Sequence, residues 1–289
     1  MLYTIRNEDL MAQVSSSGAQ LMSLEGKNHT QYLWQGNPRY WSDRSLTIFP
    51  YVARLTKGCY RYKGKFYHMP IHGFGPSSDF SVFEQTESCV AFRLESNPKL
   101  YKMYPFDFRF TVFYRLQGSA LEVTYYVENI DKKIMYFGLG GHPGINVPLE
   151  NGLRFEDYAL EFFPCQPRQV EFTSECYITG RESSFPLENN RLSLSHSLFD
   201  DDAIVLTGTS GQVTLRSSKG KRGVTLISPD FPILGIWHAP RTDAPYICLE
   251  PWSSLPSHQD VIEDLEQQAD LIALPPKEIY KATWRLLVF

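Results

Sequence analysis

Phe106-Asp107-Phe108-Arg109-Phe110-Thr111-Val112-Phe113-Tyr114-Arg115-Leu116, then Gln117-Gly118-Ser119, then Ala120-Leu121-Glu122-Val123-Thr124-Tyr125-Tyr126-Val127, is the stretch that decides the fold. Phe106, Phe108, Phe110, Val112, Tyr114 and Leu116 occupy every second position, and Leu121, Val123, Tyr125 and Val127 alternate back. Side chains in a strand point to opposite faces in turn, so period-two patterning gives each arm one buried face. A glycine turn between two such arms predicts a long antiparallel hairpin.

The same kind of segment recurs on both sides. Leu2–Ile5, Leu10–Val14 and Ala19–Leu24, with the turn cluster Ser15-Ser16-Ser17-Gly18, predict an N-terminal meander. Cys59–His68 reads as a hairpin turning at Lys63-Gly64. Downstream, strands are predicted near 158–163, 191–195, 203–206, 212–216, 223–227, 231–237, 246–250 and 277–288. Residues 167–190 read as a polar, proline-marked excursion. The one predicted helix is Asp260–Ala269, where Val261, Ile262 and Leu265 would share a face. About twenty strands with no linker, fixed-period repeat or low-complexity block predict an all-β chain. The expected architecture is one large antiparallel β-sandwich spanning 1–289, with ligand held across a concave sheet face.

Composition narrows the function. Hydrophobic residues make up 43% and charged residues 21% of the 289, as in a soluble globular protein with a substantial core. A formal net charge of -4 argues against nucleic acid or an anionic membrane surface as partner. Cys59, Cys89, Cys165, Cys176 and Cys248 are scattered, odd in number and form no Cys-x-x-Cys pair, so neither a disulfide framework nor a zinc site is expected. Reduced thiols in a cytoplasm are the expectation. The N-terminus lacks a basic segment followed by an apolar run, and no window approaches the roughly 18 apolar residues of a membrane span.

Polar residues at apolar strand margins mark the candidate site. Gly140-Gly141-His142-Pro143-Gly144-Ile145-Asn146 holds an imidazole, the side chain best suited to proton exchange near neutrality, at the end of a strand-like run. Pro70-Ile71-His72-Gly73-Phe74-Gly75-Pro76 carries a second histidine in a stretch that forbids regular helix. His68 and His72 are four apart, a metal spacing only on a helix, so no metal is read there. Arg54 closes the apolar run from Leu46; it either pairs with a core carboxylate or offers its guanidinium fork to ligand hydroxyls. Glu250, in Cys248-Leu249-Glu250-Pro251-Trp252, ends an apolar strand where Pro251 should halt the ladder. A desolvated carboxylate there becomes a useful proton acceptor, or else the partner of a core cation. Asp200, Asp201 and Asp202 precede an apolar strand, and one of them at the strand edge could accept hydrogen bonds from a ligand. Such a set suits acid–base chemistry on a neutral polyhydroxylated molecule. No nucleophile elbow, phosphate loop or dinucleotide fingerprint occurs.

Five of these stretches, 49–54 (FPYVAR), 71–74 (IHGF), 141–146 (GHPGIN), 201–206 (DDAIVL) and 248–252 (CLEPW), resemble the aldose 1-epimerase (galactose mutarotase) family in their order along nearly the whole chain, and the LacX-type branch within it. The resemblance implies a galactose mutarotase-like (supersandwich) fold and cofactor-independent interconversion of the α and β anomers of a free hexose such as galactose or glucose. It implies Glu250 as general base toward the C1 hydroxyl and His142 as general acid toward the ring oxygen. Arg54, His72 and one of Asp201 and Asp202 would hold sugar hydroxyls; spacing to the apolar run favours Asp201. Trp237 or Trp252 would flank the ring. The family often has glycine where this chain has Ala53, and an aromatic where it has Gly144, which implies a wider pocket. The implied partner is a monosaccharide, with no nucleic acid, membrane or metal, and the chain a monomer or homodimer. Two alternatives stand beside this reading. One is a hexose 6-phosphate mutarotase, which needs rim cations such as Lys132, Lys133, Arg154 or Arg168. The other is a sugar-binding or sensing protein without turnover.

Overall fold

The 106–127 hairpin forms as its alternation dictates. In the computed structural model, which describes residues 1–289, strands Phe108–Gln117 and Ala120–Asn129 pair antiparallel, with Leu121 opposite Leu116 and Val127 opposite Phe110. All the alternating apolar residues are buried. The hairpin sits inside a nine-stranded antiparallel sheet, between the Ile279–Val288 strand and the Cys89–Glu95 strand.

A seven-stranded antiparallel sheet lies against it. Its strands run, in spatial order, Ile178–Ser184, Arg168–Phe172, Ile204–Thr207, Ile233–Trp237, Tyr246–Trp252, Gly140–Asn146 and Ser45–Ile48. The Tyr246–Trp252 strand is buried throughout, which is why it reads as a continuous apolar run rather than an alternating one. A core of 62 buried residues contains the hairpin's apolar residues together with Ile145, Leu206, Leu234, Ile236, Ile247 and Leu249 of the seven-stranded sheet. The inner faces pack tightly at Gly141, where a Cβ would stand only 2.9 Å from the indole of Trp284. That indole donates to the Tyr125 hydroxyl at 3.0 Å, and the hydroxyl donates to the Gly140 carbonyl at 3.2 Å. The chain of bonds ties the strand carrying His142 to the opposite sheet. Three smaller sheets complete the fold; two are the N-terminal meander (Leu2–Arg6, Leu10–Ser15, Leu21–Gly26) and the Cys59–Tyr62/Lys65–His68 hairpin. No helix is long and apolar enough to cross a membrane.

Three local expectations fail, each for a physical reason. No helix forms over 260–269. Arg61 N–H bonds the Glu263 carbonyl at 2.7 Å and Leu265 N–H the Arg61 carbonyl at 3.0 Å, so this segment spends its backbone groups on the neighbouring hairpin. Of its apolar trio only Leu265 is buried. Pro251 does not halt a ladder; it lies within the Tyr246–Trp252 strand opposite Leu234. The polar 167–190 excursion folds as a hairpin, Arg168–Phe172 with Ile178–Ser184, that extends the seven-stranded sheet. Exposed on most of its length, it lacks the apolar alternation by which a strand is recognised.

Candidate active site

The register of three central strands assembles the site. Gly140 stands opposite Trp252 and Gly144 opposite Cys248, which brings His142 across from Glu250. On the far side Gly235 stands opposite Glu250 and Trp237 opposite Cys248. Side chains two apart share a face, so His142, Glu250, Trp252 and Trp237 project from the outer face of the seven-stranded sheet, away from the core. His142 lies inside its strand, not at its end. Loops close the sides. The turn after the Ser45–Ile48 strand brings Arg54, the 69–74 loop brings His72, and the turn before the Ile204–Thr207 strand brings Asp201 and Asp202. The result is a cavity of about 290 Å³ that all six predicted site residues line.

At its floor the His142 Nε2 and a Glu250 carboxylate oxygen are 3.2 Å apart, with Glu250 2% exposed. Their alignment is not that of a hydrogen bond, and both Glu250 Oε2 and His142 Nδ1 are buried without a partner. Buried polar atoms are nearly always satisfied, so two orphans side by side mark a place built for something else to bind. Burial pushes the Glu250 carboxyl well above its ordinary pKa, with Trp252 opposing the rise and the nearby Asp202 charge adding to it. Burial likewise holds His142 well below the usual histidine range, and neighbouring His72 pushes the same way.

His72 is fixed by its own loop. Its backbone N–H donates to the Ala53 carbonyl at 2.8 Å, and the Ala53 N–H reaches His72 Nδ1 at 3.3 Å. An Nδ1 that accepts leaves Nε2 to carry the proton, so the ring presents a donor to the cavity. Burial and the Arg54 charge lower its pKa to about 4, keeping it neutral. Arg54 has no carboxylate partner within ion-pair distance, so its fork faces the cavity unspent. Of the two aspartates, Asp202 is the more enclosed; its carboxylate accepts from the Cys176 thiol at 2.7 Å. Ala53, His72, Cys176 and Asp202 all have positive φ, from 54° to 81°, although none is glycine. Such strain persists where surrounding structure over-determines it and gathers at functional sites.

Trp41, Phe172 and Cys176 are among the lining residues that sequence reasoning missed. Phe172 and Cys176 come from the hairpin that the sequence shows only as a polar excursion. Trp41 comes from an irregular loop with no pattern to announce it. Its ring lies 4.8 Å from that of His142, tilted by 30°, and packs directly over Gly144. The space that glycine opens is therefore filled by Trp41, and the pocket is not widened there. His142, Cys248 and Glu250 also hold donor atoms within 4.8 Å of one another, a set able to ligate a metal. Two of those donors are the imidazole–carboxylate pair itself, so a metal seated there would consume it.

The fold is a face-to-face sandwich with a buried imidazole–carboxylate pair at the floor of a small cavity on its outer sheet face. The aldose 1-epimerase family model matches residues 1–286, and the chain belongs to that family. It is 31% identical over 298 residues to the chromosomal protein LacX of Lactococcus lactis subsp. lactis, covering all of this chain and 99% of that one. Among solved structures, a galactose mutarotase related enzyme from Lactobacillus acidophilus superposes with a TM-score of 0.94 at 33% identity, covering 100% of this chain and 97% of that one. A galactose mutarotase-like protein from Lactobacillus casei ATCC 334 superposes with a TM-score of 0.95 at 30% identity, each chain covered completely.

Proposed function

We propose that this protein is a mutarotase that interconverts the α and β anomers of a free hexose. The observation that carries the reading is the Glu250–His142 pair, 3.2 Å apart, buried, with an unpartnered atom on each residue. A cyclic hemiacetal needs one group to take the C1 hydroxyl proton and another to protonate the ring oxygen, and those two oxygens are bonded to the same carbon. Two proton-exchanging groups this close match that separation. Glu250, made more basic by burial, is the general base once its proton has passed to His142 Nε2, 3.2 Å away, and that proton makes His142 the general acid. Proton removal from O1 and delivery to O5 open the ring. Rotation about C1–C2 turns the other carbonyl face, and reclosure returns both protons. Neutral His72 and the unspent Arg54 donate to sugar oxygens and steady charge developing on them. Asp202, with Asp201 nearer the rim, accepts from hydroxyls. Trp237 and Trp252 border the ring. No metal or cofactor enters this route.

The cavity's charge favours a neutral sugar over its 6-phosphate. Arg54 is the sole lysine or arginine lining it. None of the cations that the phosphate reading names, Lys132, Lys133, Arg154 and Arg168, lines the cavity.

The test is polarimetry of freshly dissolved α-glucose and α-galactose. The protein should speed equilibration, and Glu250→Gln should lower kcat by roughly 100-fold or more, as loss of a general base does. A Glu250→Gln variant with wild-type rates would reject the assigned base. Binding without anomer exchange at high protein concentration would reject turnover.

A further inference from the structure

We propose that Trp41 is a specificity-determining wall that limits the pocket to a single pyranose ring, and that it stands there only because residue 144 has no side chain. The inference rests on the mutarotase reading. Gly144 follows His142 by two on the same strand face, so a side chain there would project into the cavity beside the acid. A Cβ on Gly144 would lie 3.1 Å from the Trp41 ring, 3.1 Å from the Trp34 Cβ and 3.3 Å from the Arg44 carbonyl, so a side chain there would crowd Trp41 out of its place. The strand leaves the position vacant and a loop fills it.

Trp41 is held firmly for a loop residue. Its carbonyl accepts from the Trp34 indole at 2.9 Å and from the Asn37 N–H at 2.9 Å. Next to it, the Tyr40 hydroxyl donates to Asp243 at 2.7 Å, pinning the loop to the segment that carries Pro240 at the cavity edge. The Trp41 ring meets Trp237 at 84° with centroids 5.7 Å apart. Two flat rings at right angles make a closed corner one residue pair beyond His142 and Glu250, at the level of Gly144, Cys248 and Trp237. A cavity of about 290 Å³ lies at the small end of ligand pockets, which start near 300 Å³. A second sugar ring extending toward that corner meets indole.

Trp41 also covers the imidazole of His142, so removing it will slow every substrate. Ratios between sugars within one variant cancel that common loss. The experiment measures kcat/KM for α-glucose, maltose and melibiose, the last two bearing their second ring on O4 and O6 of the reducing glucose. Wild type should prefer glucose over at least one disaccharide by at least roughly tenfold. Trp41→Ala should shrink that preference by roughly tenfold, and Trp41→Phe, which keeps a ring there, should retain most of it. An unchanged ratio in Trp41→Ala, or a wild type that handles both disaccharides as well as glucose, overturns the wall. Should wild type equilibrate no aldose, the mutarotase reading fails. Calorimetric binding of the same sugars then decides the wall, which falls if Trp41→Ala leaves the binding preference unmoved.

Discussion

Ala53 and His72 clasp each other at the cavity edge, the His72 N–H on the Ala53 carbonyl and the Ala53 N–H on the His72 ring, each residue in the left-handed region, with φ of 54° and 62°. The clasp holds the His72 ring over the pocket and sets its tautomer, and alanine carries part of the strain. A left-handed non-glycine residue costs roughly 1–2 kcal/mol in sterics. Glycine recovers this but gives back part in unfolded-chain entropy. Ala53→Gly should therefore stabilise the fold by about 0.5–1 kcal/mol. Chemical denaturation reads it directly. A destabilised variant would mean that the Ala53 methyl packs more than it strains.

Stability should depend on pH through the same histidine. The folded pKa of His72, about 4, lies below the unfolded value of 6.5. The unfolded chain thus binds more protons between those values, and stability is lost as pH falls through that window. Melting temperature should drop between about pH 6.5 and 4. His72→Gln, which cannot charge, should show a shallower drop over the same range. Identical slopes in both proteins would remove His72 from the account.

Activity should follow the proton count of the Glu250–His142 pair. Burial raises one group and lowers the other, so over a broad window the pair holds one exchangeable proton between them. A second proton removes the base; loss of the first removes the acid. Because His142 is depressed, the acid limb of kcat/KM should lie well below the ordinary histidine value of about 6.5. A rate already halved at pH 6.5, in a protein still folded there, would contradict the assignment.

The legible part of this molecule was what repeats. Period-two alternation exposed the 108–129 hairpin, and Lys63-Gly64, both with positive φ, announced the turn between strands 59–62 and 65–68. The polar residues that line the cavity were visible as charges and imidazoles at the margins of apolar runs. Strand register, which sets His142 across from Glu250, is a property of paired strands far apart in sequence, and no local pattern carries it. Trp41 was silent for a similar reason: a tryptophan in a loop looks the same whether it faces solvent, core or ligand. The 260–269 segment misled because helical spacing of Val261, Ile262 and Leu265 says nothing of where the backbone finds its hydrogen bonds, which here is Arg61.

Gly141 offers a test of how the core supports the site. A methyl group at this position would lie 2.9 Å from two carbons of the Trp284 ring and 3.0 Å from its nitrogen. That ring is 1% exposed and held by Tyr125, which in turn holds the Gly140 carbonyl, so it has nowhere to retreat. Gly141→Ala should cost about 1–3 kcal/mol as overpacking. It should also shift the strand bearing His142 and lower kcat under conditions where the variant remains folded. Trp284→Phe makes room by removing the outer ring. In the Gly141→Ala background it should recover part of both losses, a coupling that a double-mutant cycle measures. Strict additivity of the two substitutions, in stability and in kcat alike, would show that the sheets do not transmit packing to the pair.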